Sequence, residues 1–257
     1  MGKQTTTLLS PDPASDAATE PNSAATRAFG AFETALGLTA DSPAGARHTS
    51  EGPARLGRIY RGLTPDERRA ARRQRLLDAG FNSFGTVGFG ATTIEQLCGQ
   101  AGVTPRHFYE EFPSREALLL AVYDDSIRFT HEAAVAAAGA APQNPELRTR
   151  ASIHAFVHAM CDDPRRARVL CIEGVRVSAD FERHRRNVVH EFADLTAAGA
   201  RELAASYGTT EPRITPMVLL GVVHELVIDW LLSDNPPPLE QLIDELTGIW
   251  LAACKVA

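Results

Sequence analysis

The chain has 257 residues, of which 44% are hydrophobic and 23% charged, so it can bury a sizeable core in one or two domains. No stretch approaches the roughly 18–20 consecutive apolar residues of a membrane span, and the N-terminus has no apolar secretory segment, which favours a cytoplasmic protein without a membrane partner. The four cysteines are widely spaced and form no CxxC pair, which argues against a disulfide framework and against a cysteine-only zinc module.

The net charge of −6 is unevenly distributed along the chain. Residues 1–54 carry three basic and six acidic side chains among mostly Ala, Ser, Thr, Pro and Gly, so we expect an acidic, disordered tail. Within it, Phe29, Phe32 and Leu36 lie at helical offsets, which leaves open a short transient helix or docking element. Residues 55–75 contain eight arginines and two acids, and this run predicts either an anionic partner or a solvated helix face.

Beyond this run the sequence predicts an all-α fold. Apolar residues recur at three- and four-residue offsets, and no sustained run alternates with period two. Two short helices joined by the Gly102-Val103 turn form a helix-turn-helix pattern, in which the second helix enters the DNA major groove. The predicted helix starts are Thr64, Thr92-Thr93, Thr104 and Ser114.

Prolines and turn residues divide residues 146–257 into about five further helices. The predicted organisation is therefore a tail over 1–54, a helix-turn-helix domain with a basic N-terminal arm over 55–125, and a second helical domain over 126–257. The cysteine on the first short helix, Cys98, shares a face with apolar residues and is expected to be buried and inert.

The stretch from Arg72 to Leu119 resembles the DNA-binding domain of tetracycline-repressor-like (TetR family) transcriptional regulators. Beyond about residue 125 the resemblance is one of architecture alone. The resemblance to this family implies a homodimeric, ligand-responsive repressor. Such a repressor binds a palindromic operator, needs no cofactor and is not an enzyme. The resemblance rests on Thr92-Thr93, Ala101-Gly102-Val103, Phe108-Tyr109, Phe112 and Ser114-Arg115-Glu116-Ala117-Leu118-Leu119.

By this resemblance the helix that begins at Thr104 reads the DNA. Arg106 is the strongest candidate, because its guanidinium can donate two hydrogen bonds to guanine O6 and N7. Three other side chains match positions that hold phosphates, and for one of them, Tyr109, packing against Phe112 is the alternative. The candidate base contacts are Thr104, Pro105, Arg106 and His107, the candidate phosphate contacts are Thr93, Tyr109 and Arg115, and the candidate minor-groove arm is Arg55, Arg58 and Arg61.

One feature departs from the family pattern. Glu110-Glu111 stands where many members have a basic or neutral residue followed by His, and carboxylates there would repel phosphate. We therefore expect the arginine-rich segment to compensate for the lost attraction.

The helices over 215–254 are rich in Leu, Val, Ile and Trp, so a second copy of the chain would complete a four-helix bundle; packing within their own domain is the alternative. The resemblance implies an effector pocket over about 146–207, although no residue there indicates the chemistry of the effector.

His154, His158 and Cys161 lie at i, i+4 and i+7, which suits one face of a helix and leaves open a metal site or a helical-pocket enzyme. We expect neither, because no partner spacing supports a catalytic triad and isolated histidines are more often pocket or interface residues. A constitutive DNA-binding protein without effector control is a further alternative. Two basic clusters, at 165–168 and 183–186, are interpreted as solvated surface.

Overall fold

A computed structural model describes residues 64–174, 177–212 and 214–255. All regular elements in these ranges are helical, which confirms the predicted fold class. Within the same ranges no helix has both the length and the apolar character to cross a membrane. The helices are α1 (Pro65–Thr86), α2 (Ile94–Ala101), α3 (Pro105–Glu111), α4 (Arg115–Ala140), α5 (Pro145–Cys161), α6 (Pro164–Arg168), a π-helical turn (Val169–Glu173), α7 (Ala179–Ser206), α8 (Pro216–Leu232) and α9 (Leu239–Cys254).

Local hydrogen bonds confirm the predicted first residues of the helices. The Thr64 hydroxyl accepts from the Glu67 amide at 3.2 Å, and the Glu67 carboxylate accepts from the Thr64 amide at 2.6 Å. Thr93 and Gln96 form the same reciprocal pair at the start of α2. Each pair satisfies two amides that a helix end leaves without a partner, so these short signals fix where the helices begin.

The turn between α2 and α3 needs a glycine. Gly102 has φ +61°, in the left-handed region that side chains with a Cβ rarely adopt. Thr104 then caps α3 and Pro105 occupies its first position. On the inner side Phe108 is fully buried against α1 and α2, together with Leu76. A helix as short as α3 depends on such packing, because few residues stabilise it internally.

The rest of the chain packs around the long helix α4, which leads out of the helix-turn-helix domain. One continuous apolar cluster links both regions, running from Leu76 on α1 through Leu118 and Val122 on α4 to Val227 on α8 and Leu246 on α9. A second, smaller cluster joins the ends of α7, α8 and α9. The two predicted domains therefore share a core.

The basic cluster at 165–168 is buried more deeply than predicted. Arg165 donates to Asn82 on α1 at 3.0 Å, and Arg166 donates to the Ala159 carbonyl at 2.7 Å and lies 4.0 Å over the Phe129 ring. The interpretation of this cluster as solvated surface was wrong for Arg165 and Arg166, because Arg165 joins α6 to α1 and Arg166 packs against helices of its own domain. The predicted tail over 1–54 lies outside the described residues.

Candidate nucleic-acid interface

The outer face of α3 carries the predicted base contacts. The Arg106 side chain is 87% exposed and donates to Glu110 at 3.1 Å, one helical turn away. His107 is half-buried, with its Nδ1 3.2 Å from the Thr104 hydroxyl. Pro105 is exposed beside them. The helix thus presents an exposed cation near its capped N-terminus, the geometry that major-groove readers use.

Two predicted phosphate contacts differ in their surroundings. Tyr109 is 57% exposed, and its ring stands edge-on against Phe108 with centroids 5.5 Å apart, so the core-packing alternative was wrong. Arg115 instead donates to the Thr92 carbonyl and lies 4.3 Å over the Phe89 ring. Its guanidinium thereby holds the turn that precedes α2, next to the exposed Thr93 cap.

Glu111 faces inward, so its carboxylate is not exposed to repel phosphate as the sequence led us to expect. Its side chain is 2% exposed, and the carboxylate accepts from Arg69 at 3.2 Å and from Arg72 at 3.4 Å. Arg73 lies 4.4 Å over the Phe112 ring, and Arg75 donates to the Ala101 carbonyl at 2.9 Å. These α1 arginines therefore hold α2 and α3 in place, a role that neither interpretation of the arginine run anticipated.

Replacing Glu111 with Gln should strengthen binding to DNA of any sequence by about several-fold at low salt. The change removes a negative charge behind the reading helix and releases two arginines from their carboxylate, so the slope of log affinity against log salt should steepen by about one for each arginine that reaches a phosphate. Fluorescence anisotropy on a random duplex at several salt concentrations measures this slope. Glu132→Gln, which removes the charge of an exposed carboxylate paired with Arg128 on α4, serves as the control and should leave the slope unchanged.

An unaltered salt slope in the Glu111→Gln variant would contradict the inference that Arg69 and Arg72 become available to phosphate.

The candidate minor-groove arm, Arg55, Arg58 and Arg61, lies outside the described residues.

A carboxylate that the sequence did not single out joins the DNA-binding domain to the rest of the molecule. Glu173, at the end of the π-helical turn, accepts from the Phe89 amide at 2.7 Å and from Arg168 at 2.7 Å. Gly88, with φ +93°, allows this approach, because a Cβ there would lie 3.1 Å from the Glu173 carboxylate. The glycines at 85–90 were the only sequence signal near this contact. They indicated the end of a helix and not the approach of Glu173.

The His154, His158 and Cys161 grouping proposed from helical spacing is separated by the structure. Cys161 is buried, and burial raises the pKa of its thiol to about 12, which keeps it protonated at neutral pH. The two histidines lie side by side with ring centroids 4.4 Å apart. The residue that joins them is Glu240 on α9, rather than Cys161. A cysteine nucleophile for the enzyme alternative is therefore disfavoured.

A short exposed helix, anchored from behind and preceded by a glycine turn, defines a helix-turn-helix DNA-binding protein. Residues 76–122 match the family model described as "Bacterial regulatory proteins, tetR family". The HTH-type transcriptional regulator EthR of Mycolicibacterium smegmatis is 28% identical over 213 residues, which cover 79% of this chain and 94% of the relative. These similarities support a TetR-family transcriptional regulator.

Solved structures share the fold at low sequence identity. The fatty acid degradation regulator FadR of Bacillus halodurans has a TM-score of 0.63 and 15% identity, covering 70% of this chain and 94% of its own. FadR of Bacillus subtilis, solved in complex with stearoyl-CoA, has a TM-score of 0.62 and 15% identity, covering 70% and 98%. A tetR-family protein of Rhodococcus RHA1 has a TM-score of 0.58 and 20% identity, covering 72% and 98%.

Proposed function

We propose that this protein is a cytoplasmic, ligand-responsive repressor that binds a palindromic operator as a homodimer. The observation that carries the proposal is the geometry of α3. Its outer face exposes Arg106 and Tyr109, while Phe108 anchors the same helix in the core. In the proposed complex Thr104, Pro105, Arg106 and His107 face base edges, and Thr93 and Tyr109 contact phosphate. Arg115 acts through the turn that it holds.

Arg106→Ala tests this proposal most directly. Genomic footprinting first supplies the operator, and gel shifts then compare the variant on operator and on random duplex. If Arg106 makes a bidentate contact to guanine, operator affinity should fall by about 1–3 kcal/mol, roughly 5- to 150-fold, and discrimination at one base pair should relax. Arg183→Ala is the matched control, since Arg183 is an exposed arginine paired to a carboxylate within α7.

Equal losses of affinity for operator and random duplex would show that Arg106 binds phosphate. No loss of affinity for either duplex would contradict the proposal that α3 contacts DNA.

Helix α8 supports the dimer. Its sequence is largely Leu, Val and Ile, yet only Leu219, Val223 and Val227 of its 17 residues are buried within the chain. Val218 and Leu232 are exposed, which leaves an apolar face for a second copy. By contrast eight of the 16 residues of α9 are buried within the chain. Sedimentation equilibrium should give about twice the 27.7 kDa chain mass, and a monomer mass at micromolar concentration would overturn the dimer.

The proposed effector site lies between α4, α7 and α8. Three polar atoms are buried there without a hydrogen-bond partner among the described residues, namely Arg185 Nε, Glu191 Oε2 and His224 Nε2. Buried polar atoms are usually paired, so an unpaired group of them is typical of a place that receives a ligand or water. FadR of Bacillus subtilis carries stearoyl-CoA, and its shared fold supports a ligand in this helical domain without fixing its chemistry.

Titratable groups beside these atoms give the site a polar character. His184 Nε2 lies 2.7 Å from the Asp124 carboxylate. This hydrogen bond raises the pKa of His184, whereas burial raises the pKa of Asp124 despite the bond. Burial lowers the pKa of His224, and nearby Arg185 lowers it further. The proposed site thus includes a histidine whose pKa is lowered and a carboxylate–imidazole pair.

The π-helical turn provides a route from this site to the DNA-binding domain. His224 in the proposed effector site lies next to the Cys171 backbone, and two residues after Cys171 the Glu173 carboxylate accepts from the Phe89 amide. An effector that favours a displaced position of this turn would lower operator affinity by the difference in its binding free energies, typically about 1–3 kcal/mol. A gel shift that no metabolite fraction alters would favour the constitutive alternative.

A further inference from the structure

A compact group of nitrogen and oxygen ligands lies on helices that carry none of the proposed DNA contacts, where α5 meets the start of α9. His154 Nε2 is 3.6 Å and His158 Nε2 is 3.0 Å from the same carboxylate oxygen, Oε1 of Glu240. One ligand atom from each of the three residues lies within 4.8 Å of the others. Two histidines and a carboxylate are a donor set that binds Zn²⁺ and similar divalent metals.

Two of the three donor separations are close to those of a tetrahedral metal site. With metal–ligand bonds of about 2.0–2.2 Å, the donor atoms of a tetrahedron lie about 3.3–3.6 Å apart. The two observed distances from Glu240 Oε1, 3.0 Å and 3.6 Å, bracket that range closely. Small side-chain rotations would bring all three atoms to one centre, because His154 and Glu240 are more than half exposed and free to adjust.

A fourth side chain orients the central ligand. Asp162 Oδ1 lies 2.8 Å from Nδ1 of His158, so each nitrogen of this ring faces a carboxylate. A carboxylate on the nitrogen opposite the metal is the usual support of a metal-binding histidine, since it fixes the ring and increases its basicity. His154, His158 and Asp162 recur every four residues along α5 and its end, which places them on one face.

We propose that His154, His158 and Glu240 bind a divalent metal of the zinc class, with water in the fourth position. The ligands are Nε2 of each histidine and a carboxylate oxygen of Glu240, and Asp162 is a positioning residue. This goes beyond the proposed repressor function and does not depend on it. A bound metal would cross-link α5 to α9 and stabilise the folded protein by mass action.

The experiment uses the full chain after removal of metals with a chelator. Zn²⁺ is titrated by calorimetry, and Co²⁺ is titrated while the visible absorption bands of tetrahedral cobalt are recorded. The wild type should bind one equivalent of metal with those bands. His158→Ala and Glu240→Gln should each lose at least about tenfold in affinity and lose the bands, and Asp162→Asn should weaken binding by about 10- to 100-fold.

His190→Ala removes an exposed histidine on α7 and is the matched control, which should bind metal as the wild type does. Thermal unfolding of each metal-free variant checks folding; Glu240→Gln, at an exposed position, keeps the test available if His158→Ala does not fold. Wild-type affinity in Glu240→Gln, a wild type without tetrahedral cobalt bands, or no binding by the wild type would each overturn the site. Operator binding is measured separately and bears only on the repressor proposal.

Discussion

Phe108→Ala should destabilise the protein by about 3–5 kcal/mol and abolish operator binding. The side chain is fully buried and packs beside Phe112, with ring centroids 6.2 Å apart. Because α3 has only seven residues, a cavity beneath it removes most of what holds the helix in place. Urea unfolding measures the loss of stability, and gel shifts on the footprinted operator measure the loss of binding.

Tyr109→Ala is the informative comparison, since it removes an aromatic ring from the adjacent, exposed position of the same helix. Its stability should change little while its affinity for all duplexes falls. If Phe108→Ala keeps stability within about 1 kcal/mol of wild type, the anchoring of α3 by this side chain is refuted.

Gly85→Val should destabilise the folded state by about 2–3 kcal/mol. A Cβ at Gly85 would lie 2.4 Å from the Cβ and 2.9 Å from the Cα of Arg165, so α1 and α6 must move apart. That movement also separates Arg165 from Asn82. The variant should therefore unfold at lower urea concentration and show a smaller effect of the effector on operator affinity.

The control is Gly139→Val, an exposed position on α4 where a Cβ meets no atom within 4 Å. This variant also places a β-branched side chain in a helix, with the same cost in helix propensity, but the new side chain does not collide with another helix. Equal destabilisation of the two variants would show that the close approach of α1 and α6 contributes nothing. If Gly85→Val keeps the wild-type effector response, the contact between α1 and α6 contributes to stability but does not transmit the effect of the effector.

The helix boundaries were predictable because they are set by neighbouring residues. A hydroxyl at Thr64 or Thr93 and an acid or amide three residues later form their hydrogen bonds within one turn, whatever the rest of the chain does. The turn at Gly102 is equally local. The helix-turn-helix could therefore be read from short segments, and its exposed outer face follows from the apolar residues that turn inward.

The partners of charged side chains were not predictable, because they depend on which distant helices meet. Glu111 pairs with Arg69 from 42 residues away, and Glu240 meets His158 across 82 residues. Helical spacing correctly placed His154 and His158 on one face but assigned Cys161 as their companion, although its sulfur turns into the core. Sequence periodicity gives the face of a residue and leaves the opposing helix undetermined.

The contact between α1 and α6 includes guanidinium groups that lie over aromatic rings. Arg165 and Arg166 lie 5.1 Å and 5.4 Å over the Phe81 ring, and Arg166 also covers Phe129. Partly buried contacts of this kind are screened by salt far less than surface charges are. The junction should thus remain docked at ionic strengths that release the duplex, so salt titrations of this protein report phosphate contacts rather than loosening of its own architecture.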